Sequence, residues 1–185
     1  LLLIHLLLLP KSIDCRRRNP SEINNDPEGG SSYQPPPPPP EDEQKPKPPF
    51  AVVAYLPEYR FYIDVDKMAM HTTDLILFSV SPTQTGTLQN YLTDDNFKKA
   101  GRARKAKSRL LPEQPKLKIL VSVGGGGRSS NFAKVSADAA YRRTLVQSLL
   151  TLCKKYELDG VDFDWESPSS QSDIAAYIRL LHETH

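Results

Sequence analysis

Six consecutive prolines, Pro35 to Pro40, divide this chain into a part that can build a packed fold and a part that cannot. Proline has no amide hydrogen and holds φ near −65°, so such a run settles into extended polyproline II, rising about 3.1 Å per residue. It can neither join a sheet ladder nor pack a core. The surrounding segment, residues 19–49, is rich in Pro, Ser and acids, with Glu41-Asp42-Glu43 followed by Lys45-Pro46-Lys47-Pro48-Pro49. It reads as a disordered spacer, the alternative being a docking site for a proline-reading module. Residues 1–18 form a hydrophobic leader, apolar from Leu1 to Leu9 apart from His5, then Lys11 and Arg16-Arg17-Arg18. Nine residues fall short of the roughly twenty needed to cross a hydrocarbon core. The leader reads as the remnant of a secretory signal or a signal anchor, with an uninformative terminus as the third reading. The first two predict a secreted or membrane-anchored protein.

The rest of the chain, residues 50–185, is large enough to bury a core. It is well short of the about 250 residues of a complete eight-stranded α/β barrel. Leu1 in place of Met, and a last helical pattern with no Gly or Pro terminator, suggest that both ends are cut. Short apolar runs alternate with helical stretches, the pattern of βαβ units on a parallel sheet. Phe50 to Tyr55 predicts a buried first strand, Asp64 to Met70 a short helix, Asp74 to Val80 a second strand and Asp94 to Leu110 a helix. Leu117 to Val123 predicts a third strand, running into Gly124-Gly125-Gly126-Gly127, and Ser136 to Cys153 a helix. Gly160 to Glu166 is the fourth strand, and Ser169 or Ser170 can cap a final helix.

Formal net charge is +2, too small to argue for a nucleic-acid partner, and the basic residues between Gly101 and Arg109 read as one solvated helix face. Cys15 and Cys153 lie in unlike regions and define no disulfide framework. His5, His71, His182 and His185 show no metal-ligand spacing. Neither metal, cofactor nor protein partner is inferred.

Chemistry concentrates on the fourth strand. Side chains at i, i+2 and i+4 of a strand share a face, so Asp162, Asp164 and Glu166 project together and Val161, Phe163 and Trp165 project oppositely. Three acids aimed at the centre of a sheet or barrel are costly unless they share protons or find partners. At least one carboxyl pKa is then expected to rise, the condition for general-acid work near neutral pH. Glu166, nearest the carboxyl end of the strand, is the candidate acid. Gly160 leaves room on the same face, while Asp159, of opposite parity, is expected to fix structure. A divalent-cation site is the chemical alternative, although such sites usually draw oxygens from turns.

Leu158 to Glu166 reads L-D-G-V-D-F-D-W-E, which resembles the D-G-x-D-x-D-x-E pattern of the chitinase-type family 18 glycoside hydrolases. Ser122-Val123-Gly124-Gly125, about 35 residues earlier, is similar to that family's S-x-G-G motif. The resemblance implies a TIM (β/α)8 barrel of which residues 50–185 supply the first four β/α units. It implies hydrolysis of β-1,4-linked N-acetylglucosamine polymers by a substrate-assisted retaining route, an exception to the usual pair of enzyme carboxylates. In that route Glu166 is acid and then base, Asp164 orients the acetamido group, and Asp162 shares a proton with Asp164. Gly124 and Gly125 are expected to let backbone approach the sugar, the alternative being a flexible turn. Tyr55 and Phe78 are candidates for stacking on sugars, or else simple core, and Ser122 for an internal hydrogen bond. Strands five to eight of the family barrel are missing, which implies that the chain by itself is inactive and aggregation-prone. Three readings remain in view: a chitinase, a non-catalytic chitinase-like lectin, and an inactive truncated fragment. Within the enzyme class, endo-acting release of N-glycans is also open.

Overall fold

The computed structural model describes residues 50–184, so the expected leader and proline-rich spacer lie outside the described residues. Four parallel strands form the sheet in the order β1 (Val53–Pro57), β2 (Asp74–Pro82), β4 (Lys118–Gly124), β5 (Gly160–Asp164). β3 (Leu88–Asn90) pairs antiparallel with the end of β2. Among the described residues, β1 and β5 each have a strand on one side only.

The ladder fixes Tyr55 opposite Ile76, Ile76 opposite Leu120 and Leu120 opposite Gly160, so these four share one face. The other face carries Leu75, Leu77, Ile119 and Val121, all fully buried against helices. Burial on both sides of β2 explains its unbroken apolar run. The first strand starts later than predicted and is not uniformly buried. Phe50 is exposed, and of β1 only Leu56 is enclosed, because the inner face at this edge is open.

Helices α1 (Val65–Met70) and α2 (Asp94–Leu110) pack together, as do α5 (Gln171–Thr184) and α3 (Phe132–Ala137). Side-chain caps set the boundaries. The Asp64 carboxylate accepts from Lys67 N at 2.9 Å, and Thr93 and Asn96 cap each other reciprocally at the start of α2. The single helix expected over Ser136 to Cys153 is two, α3 and α4 (Ala139–Tyr156). Asp138 causes the break, its extended backbone ending α3 while its carboxylate accepts from Ala140 N and Tyr141 N at the head of α4. Ser170 caps α5 as expected, its hydroxyl accepting from Asp173 N at 3.1 Å. No helix among the described residues is long and apolar enough to cross a membrane.

The basic stretch of α2 departs from the solvated face read from sequence. Arg104 and Lys107 are buried at 5% and 3% exposure. Lys107 donates to the Thr72 carbonyl, and burial lowers its pKa despite the nearby Asp74 charge. Arg104 turns toward the start of β5.

Candidate active site

Asp159, Asp162, Asp164 and Glu166 reach their positions through different restraints. Asp159 stands just before β5, where its Oδ2 accepts from Arg104 Nη1 at 2.9 Å and from Ile119 N at 2.8 Å. Arg104 also donates to the Glu157 carbonyl. These bonds tie the entrance of the acid strand to β4 and α2. Across the β4–β5 ladder Ser122 faces Asp162 and Gly124 faces Asp164, which sets both acids on the inner face. Outward, Phe163 meets the Phe132 ring edge-on at 6.4 Å and Trp165 stacks on it at 5.3 Å, with Tyr177 edge-on to both. This aromatic packing resists a one-residue slip that would exchange the faces.

Asp162 and Asp164 are half-buried; Glu166 is exposed. The strand ends at Asp164 rather than Glu166, because Gly124, its partner, turns away with φ +104°. Glu166 is thus not enclosed at the sheet centre as expected, but lies beyond the strand end. A Cβ placed on Gly126 would stand 3.8 Å from its Oε1, so the glycine loop borders the acid. Gly160 leaves ordinary van der Waals space, 3.8 Å to Leu120 Cδ2.

Tyr55 reaches this face from the far edge of the sheet, donating its hydroxyl to Asp162 Oδ2 at 3.3 Å. Burial, then the charge of Asp162 and the hydrogen bond to it, then the charge of Asp164, push the phenol pKa up to about 12. Tyr177 is also raised to about 12, by burial and then by the same two carboxylates. Both phenols are protonated at neutral pH, so Tyr55 is a permanent donor there. Since their folded values exceed the usual 10, the linked stability is complete below pH 10 and is lost as pH rises through 12. In an absorbance titration of phenolate, the expected outcome is a late fraction near pH 12 that shrinks in both Tyr55→Phe and Tyr177→Phe. Titration of every tyrosine near pH 10 would contradict this environment.

Gly124 and Gly125 are closely packed within the protein: a Cβ on Gly124 would lie 2.5 Å from the Asp164 carbonyl oxygen, and one on Gly125 would lie 2.2 Å from Phe78 Cζ. Gly125 N donates to that same Asp164 carbonyl at 2.8 Å. Phe78 is accordingly half-buried against the glycine loop, and the Phe78–Ser79 peptide is cis. Ser122, expected to hydrogen-bond internally, is fully buried with its hydroxyl unpartnered among the described residues. No group of three or more potential metal ligands occurs among the described residues.

Two features were not legible in the sequence. Arg128, directly after the glycine run, pairs with Glu58 after β1 and donates to Ser79 on β2. On the loop following β1, Tyr59 and Tyr62 are exposed at 66% and 73%, with Arg60 over the Tyr59 ring and donating to the Tyr62 hydroxyl at 2.7 Å. Buried Phe61 anchors that loop, and Lys99 holds its carbonyl. The spacing E-Y-R-F-Y alternates polar and aromatic residues like a strand, which hides the turn that splits one aromatic from the other two.

Parallel strands alternating with helices, with polar groups gathered at the carboxyl end of one strand, define an α/β domain. Residues 51–185 match the glycosyl hydrolases family 18, and the chain belongs to that family. A class V chitinase of Medicago truncatula is 39% identical over 70 residues, 37% of this chain and 18% of that protein. Chitinase A1 of Niallia circulans is 43% identical over 63 residues, 34% of this chain and 9% of its own. Among solved structures, a family GH18 chitinase from Cycas revoluta in complex with allosamidin superposes with TM-score 0.60 at 27% identity, covering 73% of this chain and 39% of that one. The group IV chitinase of Ostrinia furnacalis gives 0.59 at 27%, covering 72% and 39%. The chain thus spans less than half the length of the relatives it matches.

Proposed function

We propose that the protein hydrolyses β-1,4-linked N-acetylglucosamine polymers, and that β1, β2, β4 and β5 are the first four staves of a TIM barrel. The carrying observation is the shared face of Asp162 and Asp164, with Glu166 next at the carboxyl end of β5 and the Tyr55 hydroxyl on Asp162. Support for the substrate class comes from the Cycas revoluta chitinase, a mutant of which has been solved with (GlcNAc)4.

In this reading Glu166 protonates the glycosidic oxygen while the acetamido oxygen of the substrate attacks the anomeric carbon, forming a cyclic oxazolinium. Asp164 holds the acetamido N–H and offsets the ring's positive charge, with a proton shared between Asp164 and Asp162. Tyr55, a donor throughout the neutral range, holds Asp162 in place by its hydrogen bond. Glu166, now ionised, takes a proton from the water that opens the oxazolinium, and two inversions restore the β configuration.

The test is cleavage of (GlcNAc)4 by the intact protein, with the product anomers read by proton NMR before mutarotation. β-anomer first is expected. α-anomer first would exclude the substrate-assisted route, and tight binding without cleavage would transfer the reading to a lectin.

Tyr59 and Tyr62 extend the proposed sugar contact beyond the acids. Each exposed ring offers a flat apolar face at a cost in hydration that a polymer chain would remove. Replacing both by Ala should lower kcat/KM on polymeric chitin about tenfold, taking roughly 0.5–1.5 kcal/mol per ring, while a chromogenic dimer stays within about twofold. Equal losses on both substrates would place the rings elsewhere in the mechanism.

A further inference from the structure

We infer that Arg128 is a positioning residue for the acid site, acting through the glycine loop that touches both Asp164 and Glu166. The inference rests on the hydrolytic reading above. Its guanidinium reaches Glu58 with two nitrogens, at 2.5 and 3.4 Å, a forked pairing with the segment that follows β1. The nitrogen at 3.4 Å also donates to Ser79 Oγ at 2.9 Å, and Ser79 in turn donates to the Gly124 carbonyl at 2.9 Å. The same guanidinium lies 4.0 Å over the Tyr91 ring, just past β3, and 5.5 Å from the Phe78 centroid. One side chain therefore ties together the carboxyl ends of β1, β2 and β4. Both charged partners are largely enclosed, with side-chain exposures of 18% for Arg128 and 22% for Glu58. Burial alone would raise the Glu58 pKa, but hydrogen bonding and charge from Arg128, with a backbone hydrogen bond, bring it below the usual carboxylate value. The pair is thus ionised and fixed at neutral pH.

What the pair fixes is the loop. Arg128 N donates to the Gly125 carbonyl at 2.9 Å, Gly125 N donates to the Asp164 carbonyl, and Ser129 Oγ reaches both of those carbonyls at 3.2 Å. Gly126, next along, borders Glu166. Lysine cannot replace this guanidinium, because a point charge lacks the planar fork and the stacking face. Neither Arg128 nor Glu58 lies on the acid strand, so the pair acts on the reacting groups through the loop. Misplacement of reacting groups by about 1 Å can cost on the order of a hundredfold in rate.

The experiment compares the intact protein with Arg128→Ala, Arg128→Lys, Glu58→Gln and the Arg128→Ala/Glu58→Gln double variant. It measures kcat, KM and Tm on a chromogenic N-acetylglucosamine oligomer, with kcat expressed per folded molecule. Arg128→Ala should lower kcat roughly tenfold to a hundredfold with KM within about threefold. Lys should not rescue it. Glu58→Gln should fall in the same direction, and the double variant should be no worse than Arg128→Ala within about twofold, since both act through one link. A variant that loses Tm but keeps wild-type kcat per folded molecule would reduce Arg128 to a structural residue and overturn the inference. Losses that multiply in the double variant would overturn it too. Wild-type protein without hydrolysis would instead sink the functional reading, and this inference with it.

Discussion

Glu166→Gln removes hydrolysis of N-acetylglucosamine oligomers, lowering kcat by about 10²–10⁴-fold, the usual contribution of a positioned general acid. Glutamine keeps the length and the hydrogen-bonding oxygen of glutamate but carries no proton it can release to a leaving group. The substrate-assisted route supplies its nucleophile from the sugar, so the proton is the main contribution this residue makes. Glu166 is exposed and lies past the end of β5. Its replacement should therefore leave Tm nearly unchanged, within the roughly 0.5 kcal/mol usual for surface substitutions. Affinity for the uncleaved oligomer should persist. Activity within tenfold of wild type in this variant would mean that another group donates the proton.

A large stability effect is expected at Gly124, and a series of alanine substitutions separates its causes. Gly124→Ala places a methyl group 2.5 Å from the Asp164 carbonyl oxygen and 2.7 Å from the Phe132 ring, at φ +104°. Backbone strain of about 1–3 kcal/mol adds to overpacking of about 1–3 kcal/mol, and the nearest obstacle is backbone that cannot rotate aside. A loss of about 4 kcal/mol is expected, with the end of β5 displaced. Gly127→Ala has φ +72° but nothing within 4 Å, so it isolates the strain and should cost only about 1 kcal/mol. Gly101→Ala, inside α2 with open space around it, should stabilise by about 0.5–1 kcal/mol. Chemical unfolding of the three variants reads the series. Equal, small effects at Gly124 and Gly127 would mean that the loop yields and that close packing against Asp164 is unimportant.

What the sequence revealed depended on how local its signals are. Helix α2 was predicted over Asp94 to Leu110 and occupies those residues, because its start is written in Thr93 and Asn96, three positions apart. Face assignment on β5 held because alternation is a property of consecutive residues, and Trp165 packs outward as its parity required. β3 escaped notice since three residues show no period. The burial of Arg104 was illegible because its partner Asp159 lies 55 residues away, and a run of basic residues reads as surface until that partner is found. Similarly, the crowding around Gly124 and Gly125 comes from Phe78, Phe132 and the Asp164 backbone. Those contacts cross between strands and leave no pattern along the chain.

The sheet's spatial order, β1-β2-β4-β5, is also the order in which its parallel strands leave the ribosome. Paired residues lie far apart in the chain, as with Asp74 and Lys118 or Leu120 and Gly160, so each addition closes a long loop, a slow step in folding. Yet β2, β4 and β5 each meet a partner already in place, and none of them wedges between two earlier strands. The acid strand comes last of the four, laid onto strands whose inner face already holds Tyr55, so Asp162 meets a hydrogen-bond donor as soon as its strand pairs.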